Sequence, residues 1–124
     1  MSIKPNIIIS TVDLAIIENS IEDSRLPKDF QDALETELAR ANIVAPNALP
    51  ADVISLGRRV TFKITETGQI LTRKLISPKQ RNNEDDCLSV FAPLGAALIG
   101  MAVGQTIQWA THRGLETIEV ISIA

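Results

Sequence analysis

The hydrophobic pattern of this chain changes its period once, and that change limits what the chain can fold into. Up to Ala41 the apolar residues recur every three or four positions, and from Val53 the pattern becomes strand-like. Leu14, Ile17 and Ile21 stand at i, i+3, i+7, and Phe30, Leu34, Leu38 and Ala41 at i, i+4, i+8, i+11. Each set lays one apolar stripe along a helix. Ser10 is placed to cap the first helix, since its hydroxyl can accept an orphan backbone N–H, and Asp13 gives capping-box spacing. That helix is predicted to end between Ser20 and Asp23. The stretch Asp23-Ser24-Arg25-Leu26-Pro27 reads as a turn, with a second helix starting at Lys28 or Asp29. Residues 1–45 are therefore expected to form a short antiparallel helical hairpin with its stripes face to face.

Ala45-Pro46 and Leu49-Pro50 interrupt regular structure and mark a boundary. Beyond it, Val60, Phe62 and Ile64 alternate with Arg59, Thr61 and Lys63, the period of a strand. Thr67-Gly68 is a turn and Gln69 to Ile76 the returning strand. The polar stretch Ser77 to Asp86 reads as a loop and Cys87 to Phe91 as a third strand. Pro93 opens a short helix through Ile99, with Gly100 as its C-cap. Thr106 to Trp109 and Leu115 to Ile123 form a last hairpin around Arg113-Gly114. The expected class is α+β, with a twisted antiparallel sheet carrying one short helix over residues 51–124. Leu98 and Val103 are expected in its core, and Trp109 on the sheet.

A chain of 124 residues with 45% hydrophobic residues can bury one core without a metal or disulfide staple. Cys87 is the single cysteine, which excludes an internal disulfide and any zinc site built on paired cysteines. The first nine residues lack the basic start and h-region of a secretory signal. The apolar run from Leu88 to Val103 is broken by Ser89, Pro93, Gly95 and Gly100 and is too short to span a bilayer. The expected location is cytoplasmic, with no membrane partner. Net charge is −3, against a nucleic acid as the direct, sequence-specific partner, because phosphate contacts need a basic footprint. The charge is uneven: residues 1–52 hold nine acids and four bases, and residues 53–124 hold six acids and eight bases. Such a split suggests two structural parts.

The segment from Leu88 to Trp109, with Ala92-Pro93-Leu94-Gly95-Ala96-Ala97-Leu98-Ile99-Gly100 at its centre, resembles the Gre transcript-cleavage factor family. Gln105 departs from the family's usual Asp after the glycine, and is read as a turn residue. Ile7-Ile8-Ile9, the stretch Leu34 to Ala41, and Leu49-Pro50-Ala51-Asp52-Val53 resemble short-armed relatives of the Gre factors. The resemblance implies an FKBP-like C-terminal part, docking at the rim of the RNA polymerase secondary channel, and no cofactor of the chain's own. It also implies a comparison of arms. Gre factors carry two acidic residues at the coiled-coil tip, where they hold a catalytic Mg²⁺ in the polymerase active centre. Helices of roughly 10–14 residues make an arm of ~15–20 Å, whereas ~45 Å would need about 30 residues per helix. A carboxylate that stops short of coordination distance, about 2.1 Å, adds nothing to two-metal chemistry. The expectation is a regulator that acts by occupancy, competes with Gre factors, stimulates no cleavage and is not an enzyme.

The residues singled out for partner binding are Pro93, Leu94, Gly95 and Ala96, for which helix initiation and close packing are the alternative reading. Glu22, Asp23, Asp29 and Asp32 mark an acidic tip, for which solvated helix ends compatible with the helix dipole are the alternative. Arg58, Arg59, Arg73, Lys74, Lys79 and Arg81 give the second part a basic tendency. His112 has no second histidine, Ser89 lacks a nucleophile-elbow context, and Cys87 reads as a packed strand residue, so no catalytic or metal-binding residue is expected. Gly95, Gly100 and Gly104 lack the spacing of a phosphate loop. Two other functions share this fold reading. An FKBP-type prolyl isomerase would need an aromatic-lined pocket, and Phe62, Phe91 and Trp109 are few for one. A generic interaction module would need only the exposed loops.

Overall fold

The computed structural model describes residues 6–77, 86–111 and 114–124. Strand β1 (Ile8–Ser10) runs directly into helix α1 (Thr11–Asp23), and helix α2 (Lys28–Arg40) runs almost directly into strand β2 (Asn42–Val44). β1 and β2 pair in parallel, with Ile8 opposite Asn42 and Ser10 opposite Val44. Ala45 then leads into a 3-10 turn at Pro46–Ala48. A strand at Asn42–Val44 is not expected from the sequence, because three residues are too few for a period to show. The pairing roots both helices in one place. Thirteen residues in each helix amount to about 20 Å.

Local chemistry explains the helix ends. Ser10, extended at φ −74° and ψ 154°, accepts the Asp13 N–H on its hydroxyl at 3.1 Å. The expected capping box is only half formed, because the Asp13 carboxylate accepts the N–H of Leu56 at 3.1 Å instead of reaching back to Ser10. α2 follows Pro27, places Asp29 in its first turn, and ends with Arg40 paired to Glu37 at 2.6 Å.

The second part is a five-stranded sheet of β3 (Arg59–Ile64), β4 (Gln69–Ile76), β5 (Cys87–Ser89), β6 (Thr106–Thr111) and β7 (Gly114–Ile123), in the order β5-β4-β3-β7-β6. Val60, Phe62 and Ile64 face inward on β3 and Ile118 and Val120 on β7, as alternation requires. The sheet is not wholly antiparallel: β5 pairs in parallel with β4, Lys74 opposite Cys87 and Ile76 opposite Ser89. Ten residues separate the two strands, and β5 pairs with the last three residues of β4. β5 is also shorter than expected. The Ser89 carbonyl accepts the Ala92 N–H at 2.9 Å and its hydroxyl the Phe91 N–H at 3.0 Å, turning the chain into helix α3 (Pro93–Leu98). Val53 makes only an isolated bridge to Ala102.

One apolar cluster spans both parts. Ile7, Ile9, Ile17, Ile21, Leu34 and Leu38 share it with Phe62, Leu98, Met101 and Ile118. Leu98 is buried as expected, but Val103 is 40% exposed. It stands on the turn before Gly104, where its N–H donates to the Asp52 carbonyl and its side chain projects outward.

Candidate functional site

Three contacts tie β1, the start of α1 and Asn6 to the loops that flank the sheet. The N–H of Ile8 donates to the Gly100 carbonyl at 3.0 Å. Gly100 has φ +82°, and a Cβ there would stand 2.9 Å from the Cβ of Ile7 and 3.1 Å from the Ile8 carbonyl oxygen. Only glycine permits both the backbone turn and the close passage of β1. Asp13, 8% exposed, supplies the second contact through its bond to Leu56, and burial pushes its carboxyl above the usual range against the lowering effect of that bond. Gln105 supplies the third. Its Oε1 accepts the Ala102 N–H at 2.9 Å, closing the turn as expected, and its Nε2 donates to the Asn6 carbonyl at 3.2 Å. An aspartate could accept the first bond but not donate the second, so the amide here ties down the chain leading into β1.

Of the residues singled out on α3, Pro93 is exposed, Leu94 and Ala96 are half-buried and Gly95 is buried. A Cβ on Gly95 would stand 2.8 Å from the Ser89 carbonyl carbon and overlap its oxygen. Pro93, Ala96 and Ala97 instead line an apolar cleft of about 570 Å³ with Phe30 and Leu34 of α2 and Ile107 and Trp109 of β6. The two glycines of the segment thus hold its neighbours close: Gly95 against β5, Gly100 against β1.

Glu22, Asp23, Asp29 and Asp32 are all exposed, and they flank the four-residue connection between α1 and α2. The helix dipole accounts for Asp29, which lies in the first turn of α2. It does not account for Glu22 and Asp23, which end α1 with no base in the last turn. Carboxylates at a helix C-terminus oppose the dipole, at about 0.3–1 kcal/mol each. A second groove, about 760 Å³, opens between α1 and α2, lined by Leu14 and Ile21 from one stripe and Leu38 from the other.

The basic residues of the sheet are mostly engaged. Arg58 donates to the Ala51 carbonyl at 3.0 Å, and Arg59 pairs with Asp86, whose carboxyl that bond holds below the usual range. Lys79, Arg81 and His112 lie outside the described residues. The half-buried Cys87 sits in β5. Among the described residues no group of three or more His, Cys, Asp or Glu side chains is placed to hold a metal ion, and no helix is long and apolar enough to cross a membrane.

A family model of the C-terminal part of the transcription elongation factors GreA and GreB matches residues 49–124, the whole sheet and α3. The chain belongs to the GreA/GreB family. Within it, the regulator of nucleoside diphosphate kinase from Escherichia coli (strain K12) is a relative, 36% identical over 97% of this chain and 90% of that protein. The elongation factor GreA of Syntrophobacter fumaroxidans is 31% identical over 88% of this chain, a match that spans 64% of GreA. Among solved structures, a prokaryotic GreA/GreB elongation factor from Nitrosomonas europaea superposes with a TM-score of 0.77 and 31% identity, covering 98% of this chain and 99% of that one. Thermus aquaticus Gfh1 shares the fold, with a TM-score of 0.52 over 95% of this chain.

Proposed function

We propose that this protein is a transcription regulator that docks on RNA polymerase at the rim of the secondary channel and works by occupying that site. The part matched to GreA and GreB would supply the docking surface, with the exposed Pro93 and the half-buried Leu94 and Ala96 at its margin and Gly95 setting their position. In this reading residues 1–45 form the helical hairpin and residues 51–124 an FKBP-like docking part, and the protein acts in the cytoplasm where its partner is. It carries out no chemistry and needs no cofactor.

The observation that supports this reading is the length of the arm. Helices of 13 residues extend about 20 Å from their root, less than half of the ~45 Å that two 30-residue helices would span. Glu22, Asp23, Asp29 and Asp32 would then stay near the channel mouth, far from a catalytic magnesium, and could meet basic polymerase surface there. A Gre factor and this protein would exclude one another. The test uses backtracked polymerase with labelled RNA. The protein alone should leave the transcript uncut, and increasing amounts should suppress cleavage by an added Gre factor. Cleavage by this protein alone, or undiminished Gre activity at saturating protein, would refute it.

A further inference from the structure

We propose that the groove between α1 and α2 is a docking site for a basic amphipathic helix of a protein partner. The groove is lined by Leu14, Ile21 and Leu38 at its base and by Glu18, Glu22 and Glu35 at its rim. Its two walls repeat one spacing. Leu14, Glu18, Ile21 and Glu22 stand at i, i+4, i+7 and i+8 on α1; Gln31, Glu35, Leu38 and Ala39 stand at the same intervals on α2. Ile43, 37% exposed, adds apolar surface from β2. The α1–α2 pair leaves this face open, and a third helix lying in it would complete a small bundle.

Charge identifies the occupant. The groove lining holds three carboxylates and no lysine or arginine. Glu35 accepts a bond from Gln31 at 3.3 Å, while Glu18 and Glu22 have no hydrogen-bond or ion-pair partner among the described residues. Residues 11–40 as a whole carry eight acids against three bases. A nucleic acid is repelled by such a rim. An extended strand finds no open backbone edge on helical walls. A helix with apolar residues at i, i+3, i+4 and i+7 and lysine or arginine on its flanks fits both the base and the rim.

The test uses a fluorescein-labelled peptide of about 14 residues, ~20 Å long as a helix, with leucine on one face and lysine and alanine elsewhere. Saturable anisotropy on titration with the full chain is expected. The double variant Glu18→Lys/Glu35→Lys changes two exposed side chains, so far-UV circular dichroism should be unchanged. It should weaken binding at least about tenfold, or 1.4 kcal/mol. A peptide with glutamate for lysine should not bind, nor one with serine for leucine. Absence of saturable binding, equal affinity in the double variant, or equal binding of the serine peptide would overturn the proposal. It does not rest on the polymerase reading: a chain that binds polymerase but not the peptide sinks this proposal alone.

Discussion

Asp13 is the residue whose replacement tests most directly how the arm is held. Its carboxylate is buried at the start of α1 and accepts the N–H of Leu56, 43 positions along the chain. Asp13→Ala removes that acceptor and leaves a half-buried N–H unsatisfied, at a cost of about 1–3 kcal/mol. The lost carboxylate in the first turn costs a further ~0.3–1 kcal/mol, roughly offset by the better helix propensity of alanine. A net loss near 2 kcal/mol remains. At about 2.1 cal/mol/K of unfolding entropy per residue, 124 residues give about 0.26 kcal/mol/K, so Tm should fall by about 8 °C. Asp13→Asn keeps an acceptor and removes the buried charge. Burial raises the Asp13 carboxyl above its ordinary value of 3.8, so the folded state binds the proton more tightly than the unfolded chain. That contribution to stability is complete below the ordinary value and is lost as pH rises through the raised one. The asparagine variant lacks this loss. It should gain on the parent protein across that window and equal or exceed it at neutral pH. Urea unfolding of the three proteins at pH 4 and pH 7 measures both effects. An alanine variant within 0.5 kcal/mol of the parent (about a 2 °C shift) would refute the reasoning, as would an asparagine variant as unstable as alanine at pH 7.

Gly95→Ala should destabilise by about 2–3 kcal/mol, although alanine is the better helix former by about 1 kcal/mol, because the new Cβ forces α3 away from the Ser89 carbonyl. Thermal unfolding decides it, and an unchanged or raised Tm would mean that Gly95 is not held by packing. Glu66 accepts the Thr117 N–H at 2.7 Å and its hydroxyl at 3.0 Å, and chiefly that backbone bond draws its carboxyl below the usual value of 4.5. The folded state therefore favours the ionised form; stability from this group is present above the ordinary value and lost as pH falls through the lowered one. The carboxyl carbon of Glu66 should titrate by NMR with a midpoint below 4.5, moving back toward it in Thr117→Val if the hydroxyl contributes.

Elements with several periods of pattern were legible in the sequence. α1 and α2 each show a stripe over two turns or more, and β3 alternates through three inward residues, so their types and near-boundaries followed from spacing. The turn at Gly100 and the role of Gln105 in closing the loop before β6 were legible too, from residue chemistry at fixed offsets. β2 was not, with three residues and two of them exposed. Nor was the parallel pairing of β5, because the pattern of a three-residue strand reads the same in either direction.

The candidate surfaces divide the same way. The acidic residues and the Pro93 to Gly100 segment can be picked out by composition and motif alone, since charge and residue order are properties of the chain. What they do there was decided by contacts distant in sequence. Gly95 is a glycine because Ser89 passes against it, and Gly100 because Ile7 and Ile8 cross over it. Asp13 turned from a local cap into a long-range tie because the Leu56 N–H arrives beside it on folding. The groove between the helices exists because the parallel β1–β2 pair roots α1 and α2 together while the apolar cluster draws their inner faces toward the sheet. Helix and strand period is written along the chain, whereas the spacing between two helices is fixed by whatever third body their roots stand on.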